Sequence, residues 1–310
     1  MPIITIERLY QAVKNKTQLS TEFSAIDHQC LFMPQELTQL YHTAFYTQLT
    51  GAQKLRYNQL FSLRAIEQLM TLEARFISLV IKRSQQSPLL RENKPLQYCM
   101  REMIKEEVEH YHMFRALNQL AEPAIYQQQD LYFARMSHSE RLTLELLALL
   151  PGINALLLWI LLILEEFSTH ISHQMVLQAE SSSIPLEKNF VKAHREHLKD
   201  ESRHVAICAN ALNELLQQSS GTAKKINARL LTYFMHEYMA PKHGGIRVIK
   251  HLCQEFPELK KQQGLMIQII GKQSPDPLIW GAIHSVQAMP ATNQMMRIYP
   301  EFALKNELLS

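Results

Sequence analysis

The chain has 310 residues, of which 46% are hydrophobic and 20% charged, with a formal net charge of +3. That profile belongs to a globular protein with a sizeable core, and the charge is spread without any block of like sign, which argues against a nucleic-acid partner. Only eight glycines occur, while Leu, Gln, Glu, Ala and Met are plentiful, a balance that favours helices over turn-rich β structure.

The first residues, MPIITIERLYQAVKNK, contain no apolar run, so no signal peptide is expected. A short helix is predicted at 34–50 and a long one from Gln59 to Lys82; after the breaker SQQSP a second long helix runs from Leu96 to Leu120. Beyond AEPAIYQQQD a short helix is expected at 139–150. A third long helix spans Ile153 to about Leu177 and, past AESSSIP, a fourth spans Pro185 to Gln217. A further helix at 222–238 follows SSGTAKK, and after APKHGG the pattern weakens into short helices and loops packed on the main body. No convincing alternating strand is present.

The most apolar stretch, ALLLWILLIL, is too short to span a bilayer and runs straight into Glu165 and Glu166, so a buried core helix is expected rather than a membrane span. Cys30, Cys99, Cys208 and Cys253 lie far apart with no C-x-x-C pair, the pattern of reduced thiols in a cytoplasmic protein. Four long helices with short connections predict an all-α antiparallel bundle. The expectation is one domain over 1–310, its core at about 59–217 and peripheral helices and loops at 218–310. There is no G-x-G-x-x-G, and GTAKK is not a phosphate loop, so no flavin or nicotinamide site is expected.

Following each long helix at about 100° per residue puts acids where a core should be. Glu73 shares a stripe with Ile66, Leu69, Phe76, Ile77 and Val80; Glu107 and His110 share one with Met100, Met103, Phe114 and Leu117; His197, Glu201 and His204 continue into Cys208, Ala211 and Leu215. The third helix is apolar nearly all round until Glu165 and Glu166. Buried carboxylates are costly unless compensated, and several at one depth call for cations. Any single piece is weak: E-x-x-H arises by chance, and EEVEHYH contains a second, Glu109 with His112, whose face points to the side and towards solvent. The combination is stronger. Two E-x-x-H pairs on separate helices plus a Glu from each of the other two form the ligand set of ferritin-like di-iron or di-manganese carboxylate bundles, and mixed oxygen and nitrogen donors suit those metals. Glu106 and Asp200 precede the two motif acids; each is expected to reach across and hold the other motif's histidine, Asp200 with His110 and Glu106 with His204, with salt bridges to Arg203 or Lys105 as the plainer reading.

Glu73, EEVEHYHMF (106–114), a third-helix Glu and HLKDESRH (197–204) together resemble the p-aminobenzoate N-oxygenase family of di-iron enzymes over about residues 60–215. The distinguishing feature is the extra histidine in H-x-x-x-E-x-x-H, here His197, Glu201 and His204. The resemblance implies a ferritin-like bundle with iron ligands at Glu73, Glu107, His110, one of Glu165 or Glu166, His197, Glu201 and His204. Glu166 is slightly favoured by its face, which it shares with Leu162, Thr169 and His170; His170 or His173 is a minor alternative. It further implies two iron ions (manganese being possible), O2, a small-molecule amine and an external electron donor, with oxygen transfer to the amine nitrogen. The runners-up are a C–H or C–C oxidising enzyme (hydroxylase, desaturase, decarboxylase) and a non-catalytic iron-binding or storage protein. Around the site, His194 is expected to be solvated or capping, Cys208 a small core residue, Tyr111 and Phe114 core or pocket lining, and Arg195, Glu196, Lys199, Ser202 and Arg203 outward. Such bundles can form homodimers.

Overall fold

Each long helix begins where the chain supplies an acceptor for its first free N–H groups. Thr50 and Gln53 form a reciprocal capping box, Asn93 accepts from Leu96 N at 3.1 Å, and Glu187 accepts from Asn189 N and Phe190 N at 2.7 and 3.1 Å. The third long helix borrows its cap from elsewhere: Asn227 Oδ1 accepts from Leu156 N while its amide nitrogen donates to Gly152 O, both at 3.0 Å. A computed structural model describes residues 4–15, 22–135, 152–181, 185–237, 244–272 and 277–304.

In chain order the principal helices are α1 (Ile6–Lys14), α2 (Gly51–Thr71), α3 (Ser78–Gln86), α4 (Lys94–Ala121), α5 (Asn154–Ser181), α6 (Lys188–Gln217), α7 (Gly221–Glu237), α8 (Gly244–Glu255), α9 (Gln263–Gly271), α10 (Pro277–Ile283) and α11 (Pro290–Ile298). A π-helical turn, Leu72–Ile77, joins α2 to α3. The rod α2–α3 packs on α4 and α5, α4 also packs on α6, and α6 packs along α5, which closes a four-membered ring. The pairings Glu106–His204 and Phe114–His197 across α4 and α6, and Glu165–His204 and Ser172–His197 across α5 and α6, show that these neighbours run antiparallel. Among the described residues there is no strand, only a single bridge between Leu31 and Leu186. The fold is the all-α ferritin-like bundle with peripheral helices that the sequence predicts.

Two apolar clusters fill the bundle. One is built around Met100, Met103, Trp159, Leu212 and Phe302, the other around Tyr57, Leu63, Phe114, Phe190 and Leu252. Several predicted boundaries shift. The first long helix starts at Gly51 and, through the π turn, reaches Gln86. The helix expected at 34–50 is instead two 3₁₀ turns, Gln35–Leu37 and Tyr46–Gln48. There the Thr38 and Thr43 hydroxyls donate to Gln35 O and Leu40 O, and Tyr57 accepts from Leu40 N, so side chains take over the groups a helix would use. Pro185 precedes rather than opens the fourth helix, because Glu187 N donates to Leu31 O at 2.8 Å before its carboxylate turns to the cap. The predicted 139–150 helix lies outside the described residues.

α5 is long and apolar enough, by length and composition, to cross a membrane, but 72% of its most apolar window is buried inside the bundle. All four cysteines are free thiols.

Candidate metal centre

At the middle of the bundle, the stripes that carry acids meet. Glu73 lies on the π turn, Glu107 and His110 on α4, Glu165 on α5, and His197, Glu201 and His204 on α6, all of them buried. A π turn inserts one extra residue into a helix and commonly appears at functional sites; here it directs Glu73 inward. Two groups stand out as able to hold a metal ion, Glu107 with His110, Glu201 and His204, and Glu73 with His110 and His197, sharing His110. Within each group the donor atoms lie within 4.8 Å of one another.

Glu201 Oε1 is the hub. It lies 3.1 Å from His197 Nε2, 3.2 Å from His204 Nδ1 and 3.6 Å from His110 Nδ1. Glu107 reaches His204 Nδ1 at 2.7 Å and His110 Nδ1 at 3.6 Å, Glu73 reaches His197 Nε2 at 3.3 Å, and Glu165 Oε2 is 3.9 Å from His204 Nδ1. Yet both oxygens of Glu73 and of Glu107, Oε1 of Glu165 and Glu201, and Nδ1 of His110 and His204 are buried without a hydrogen bond from the protein. Donor atoms that converge at these distances without hydrogen-bond geometry are costly on their own and are satisfied by a cation placed among them. Four carboxylates also match the charge of two divalent ions. The residues therefore fit a dinuclear centre of mixed oxygen and nitrogen donors, a set suited to iron or manganese.

The electrostatics of the protein alone show the same strain. Burial, and then the charges of Glu107 and Glu201, hold the Glu165 carboxyl well above the usual carboxylate range. Burial likewise raises Glu73. Burial works against a charged His110, but Asp200 and Glu107 reverse this and raise it to about 10. His204 is raised as well, since Glu107, Glu201 and Glu106 outweigh its burial.

Behind the inner donors stands a layer of polar groups. Glu106 Oε2 is 2.7 Å from His204 Nε2, and Asp200 Oδ2 is 3.3 Å from His110 Nε2, so each motif histidine faces the acid next to the other motif. Arg203, expected to point outward, bridges the two acids: it pairs with Asp200 and lies 3.3 Å from Glu106 Oε1. Both acids thus contact a histidine and Arg203 together, while Lys105 pairs with Glu102.

Glu165 and Glu166 part company. The structure corrects the slight preference for Glu166: its oxygens accept from Ala291 N and Thr292 N at 2.6 and 2.7 Å, capping the start of α11. Only Glu165 faces the cluster, on a stripe with Ser168 and Ser172 at i, i+3 and i+7, a polar repeat in the sequence that could have singled it out. Ser168 donates to Glu165 O at 2.8 Å and reaches Glu201 Oε2 at 3.4 Å. His170 is half-buried and His173 exposed, and neither belongs to the two groups.

His194 is also corrected. It is buried rather than solvated, with Nδ1 2.9 Å from Ser172 Oγ and its ring against Phe114. Burial, reinforced by His197, holds it down to about 3, so it is a neutral imidazole. Glu196 is buried too, clamped by Lys199 Nζ at 2.7 Å to both oxygens. Phe114 stacks edge-on against His197, whereas the Tyr111 hydroxyl turns away to Asp130 at 2.7 Å. Cys208 is fully buried one turn beyond His204, and Glu109 and His112 face solvent.

No curated protein matches the chain. The model of the P-aminobenzoate N-oxygenase AurF family, however, matches residues 11–245, a span that contains every element lining the centre. With that match over most of its length, the chain belongs to the P-aminobenzoate N-oxygenase family of di-iron enzymes.

Proposed function

We propose that this chain uses O2 to oxidise the nitrogen of a small organic amine, at two iron ions held by Glu73, Glu107, His110, Glu165, His197, Glu201 and His204. The observation that carries the reading is the convergence of buried donor atoms that no protein hydrogen bond satisfies, in two groups sharing His110. Ferrous ions held there would supply the electrons and open coordination positions at which O2 is reduced.

The chain's own residues do the rest. The four carboxylates set the charge of the site, and the imidazoles occupy the remaining donor positions. Glu106 orients the His204 ring through its Nε2 at 2.7 Å, and Asp200 stands within ion-pair distance of His110 Nε2 at 3.3 Å. Phe114 and the apolar clusters on either side keep bulk water from the centre. Placing one oxygen atom on an amine nitrogen reduces the second atom of O2 to water and consumes two electrons and two protons. An external donor must therefore deliver reducing equivalents for each turnover. Oxidation proceeds through the hydroxylamine towards nitroso and nitro products.

The test is to reconstitute the protein anaerobically with Fe(II), count iron, and then add O2 with a panel of aryl and alkyl amines. About two irons per chain and an N-oxygenated product from one amine class are expected. Fewer than about one iron per chain would sink the metal assignment. Two irons with only C-oxidised products would overturn the nitrogen assignment, and many irons per chain with no organic product would mark a storage protein.

A further inference from the structure

His197 differs from the other two histidines of the centre in which nitrogen it turns inward. His110 and His204 present Nδ1 to the carboxylates and back their Nε2 atoms with acids. His197 presents Nε2, and what stands behind its Nδ1, at 3.0 Å, is a hydroxyl, Ser172 Oγ. The same oxygen lies 2.9 Å from Nδ1 of His194, and all three side chains are buried.

A hydroxyl has one proton to give and lone pairs with which to accept. When it gives that proton to one Nδ1 it accepts from the other, and the chain of hydrogen bonds then has a direction. In one direction His197 Nδ1–H donates to Ser172, and Ser172 donates to the lone pair of His194 Nδ1. His197 Nε2 is then a bare lone pair aimed at the centre. In the other direction Ser172 donates to His197, which as a neutral ring must carry its proton on Nε2, facing Glu73 and Glu201, and cannot bind a metal there. Among the described residues no carboxylate lies within ion-pair distance of His194, and its ring packs against Phe114. Nothing there draws a proton to its Nδ1.

We infer that Ser172 and His194 are positioning residues, a directional relay that holds His197 as the Nδ1-protonated tautomer and so makes it a ligand. The inference rests on the metal-centre reading proposed above. It implies an asymmetry that ordinary packing would not produce. Removing His194 while keeping Ser172 leaves the hydroxyl proton with His197 Nδ1 as its only ring acceptor, which drives His197 to the non-ligating tautomer. Removing the hydroxyl as well lifts that bias.

The experiment uses zinc(II), a diamagnetic stand-in that such donor sets bind more tightly than Fe(II). Zinc affinity is measured against a chelator, and the protonated nitrogen of each histidine is read from two-bond proton–nitrogen correlations on the full-length protein. The wild type should show His197 protonated on Nδ1. His194→Leu and Ser172→Ala should each weaken binding of one zinc about 10- to 100-fold, with the His197 signals altered and those of His110 and His204 retained. His194→Asn, whose amide oxygen can take the place of Nδ1, and Ser172→Thr should restore both readouts. The double variant His194→Leu/Ser172→Ala should bind zinc no worse than His194→Leu alone.

Three results overturn the relay: wild-type affinity with the His197 tautomer unchanged in both loss variants, uniform loss of all three histidine signals, or no rescue by Asn and Thr. A wild type that takes up neither zinc nor iron removes the metal centre itself, a separate failure that carries the relay with it.

Discussion

Glu106 Oε2 lies 2.7 Å from His204 Nε2, and the two residues belong to different helices and different E-x-x-H motifs. The contact ties α4 to α6 on the outer side of the centre, and its counterpart is Asp200 against His110 at 3.3 Å, with Arg203 between the two acids. Acids in this position fix the tautomer and orientation of a ligating ring and raise its basicity, and removing one costs about 10- to 100-fold in metal affinity. Glu106→Ala and Asp200→Ala should each fall in that range. Arg203→Met, which releases both acids together, should weaken both E-x-x-H histidines in one step. Iron occupancy under chelator competition measures all three. Unchanged occupancy and activity in Asp200→Ala would remove the crossed arrangement from the functional account.

The raised histidines make metal binding a proton-releasing step. In the protein without metal, Asp200 and Glu107 overcome burial to raise His110 to about 10, and His204 is raised for the same kind of reason. At pH 7 both rings therefore carry a proton that a ligand nitrogen must give up, and a Glu165 held above the carboxylate range adds to the count. The sign follows directly: protons compete with metal, so affinity rises with pH between 6 and 8 and falls on acidification. About two or more protons per chain should appear on loading in weak buffer, read with an indicator dye. Release of fewer than about one, or affinity independent of pH, contradicts this electrostatic picture.

How far the sequence carries the fold depends on where the deciding contacts lie. The E-x-x-H pairs were legible because α4 and α6 are regular helices, and a helical stripe interrupted by acids has few other uses. Glu165 and Glu166 are harder to separate, because α5 is apolar nearly all round up to them and only the polar repeat of Ser168 and Ser172 on the Glu165 stripe gives a direction. In the structure they are separated by the start of α11, about 125 positions further along the chain, whose free N–H groups Glu166 takes up. His194 was misjudged for a similar reason: its burial depends on Ser172 and Phe114 from two other helices. The 34–50 segment failed locally, where threonine hydroxyls compete for backbone carbonyls.

The division of labour between Glu165 and Glu166 is itself testable. Glu166 supplies two charge-assisted caps to α11, and their loss leaves buried N–H groups unpaired, a cost of about 1–3 kcal/mol. Glu166→Ala should lower unfolding free energy by that amount in urea titrations and leave metal content at the wild-type level. Glu165→Ala should do the reverse. It removes a buried carboxylate that no protein donor satisfies at Oε1, so the metal-free protein keeps or gains stability while metal uptake falls. If Glu166→Ala loses metal while Glu165→Ala keeps it, the original preference for Glu166 is restored.

The π turn at Leu72–Ile77 interrupts the rod of α2 and α3. A π turn is a single-residue insertion in an α-helix, and it persists where the displaced side chain has a use. Here it carries Glu73 into the centre, where Glu73 faces His197 at 3.3 Å and is 2% exposed. Arg75, in the same turn, is exposed, so deleting it removes no buried group. Deletion should let α2 and α3 fuse into one continuous α-helix, with the residues of the former turn re-registered by about 100°. The metal-free deletion protein should be as stable as the wild type or more so, because a less favourable helical geometry has been relaxed. Its metal uptake should drop towards about one ion per chain, since Glu73 belongs to only one of the two donor groups. Metal analysis beside urea unfolding distinguishes the outcomes. A deletion protein that binds two ions as tightly as the wild type would show that the turn does not serve Glu73.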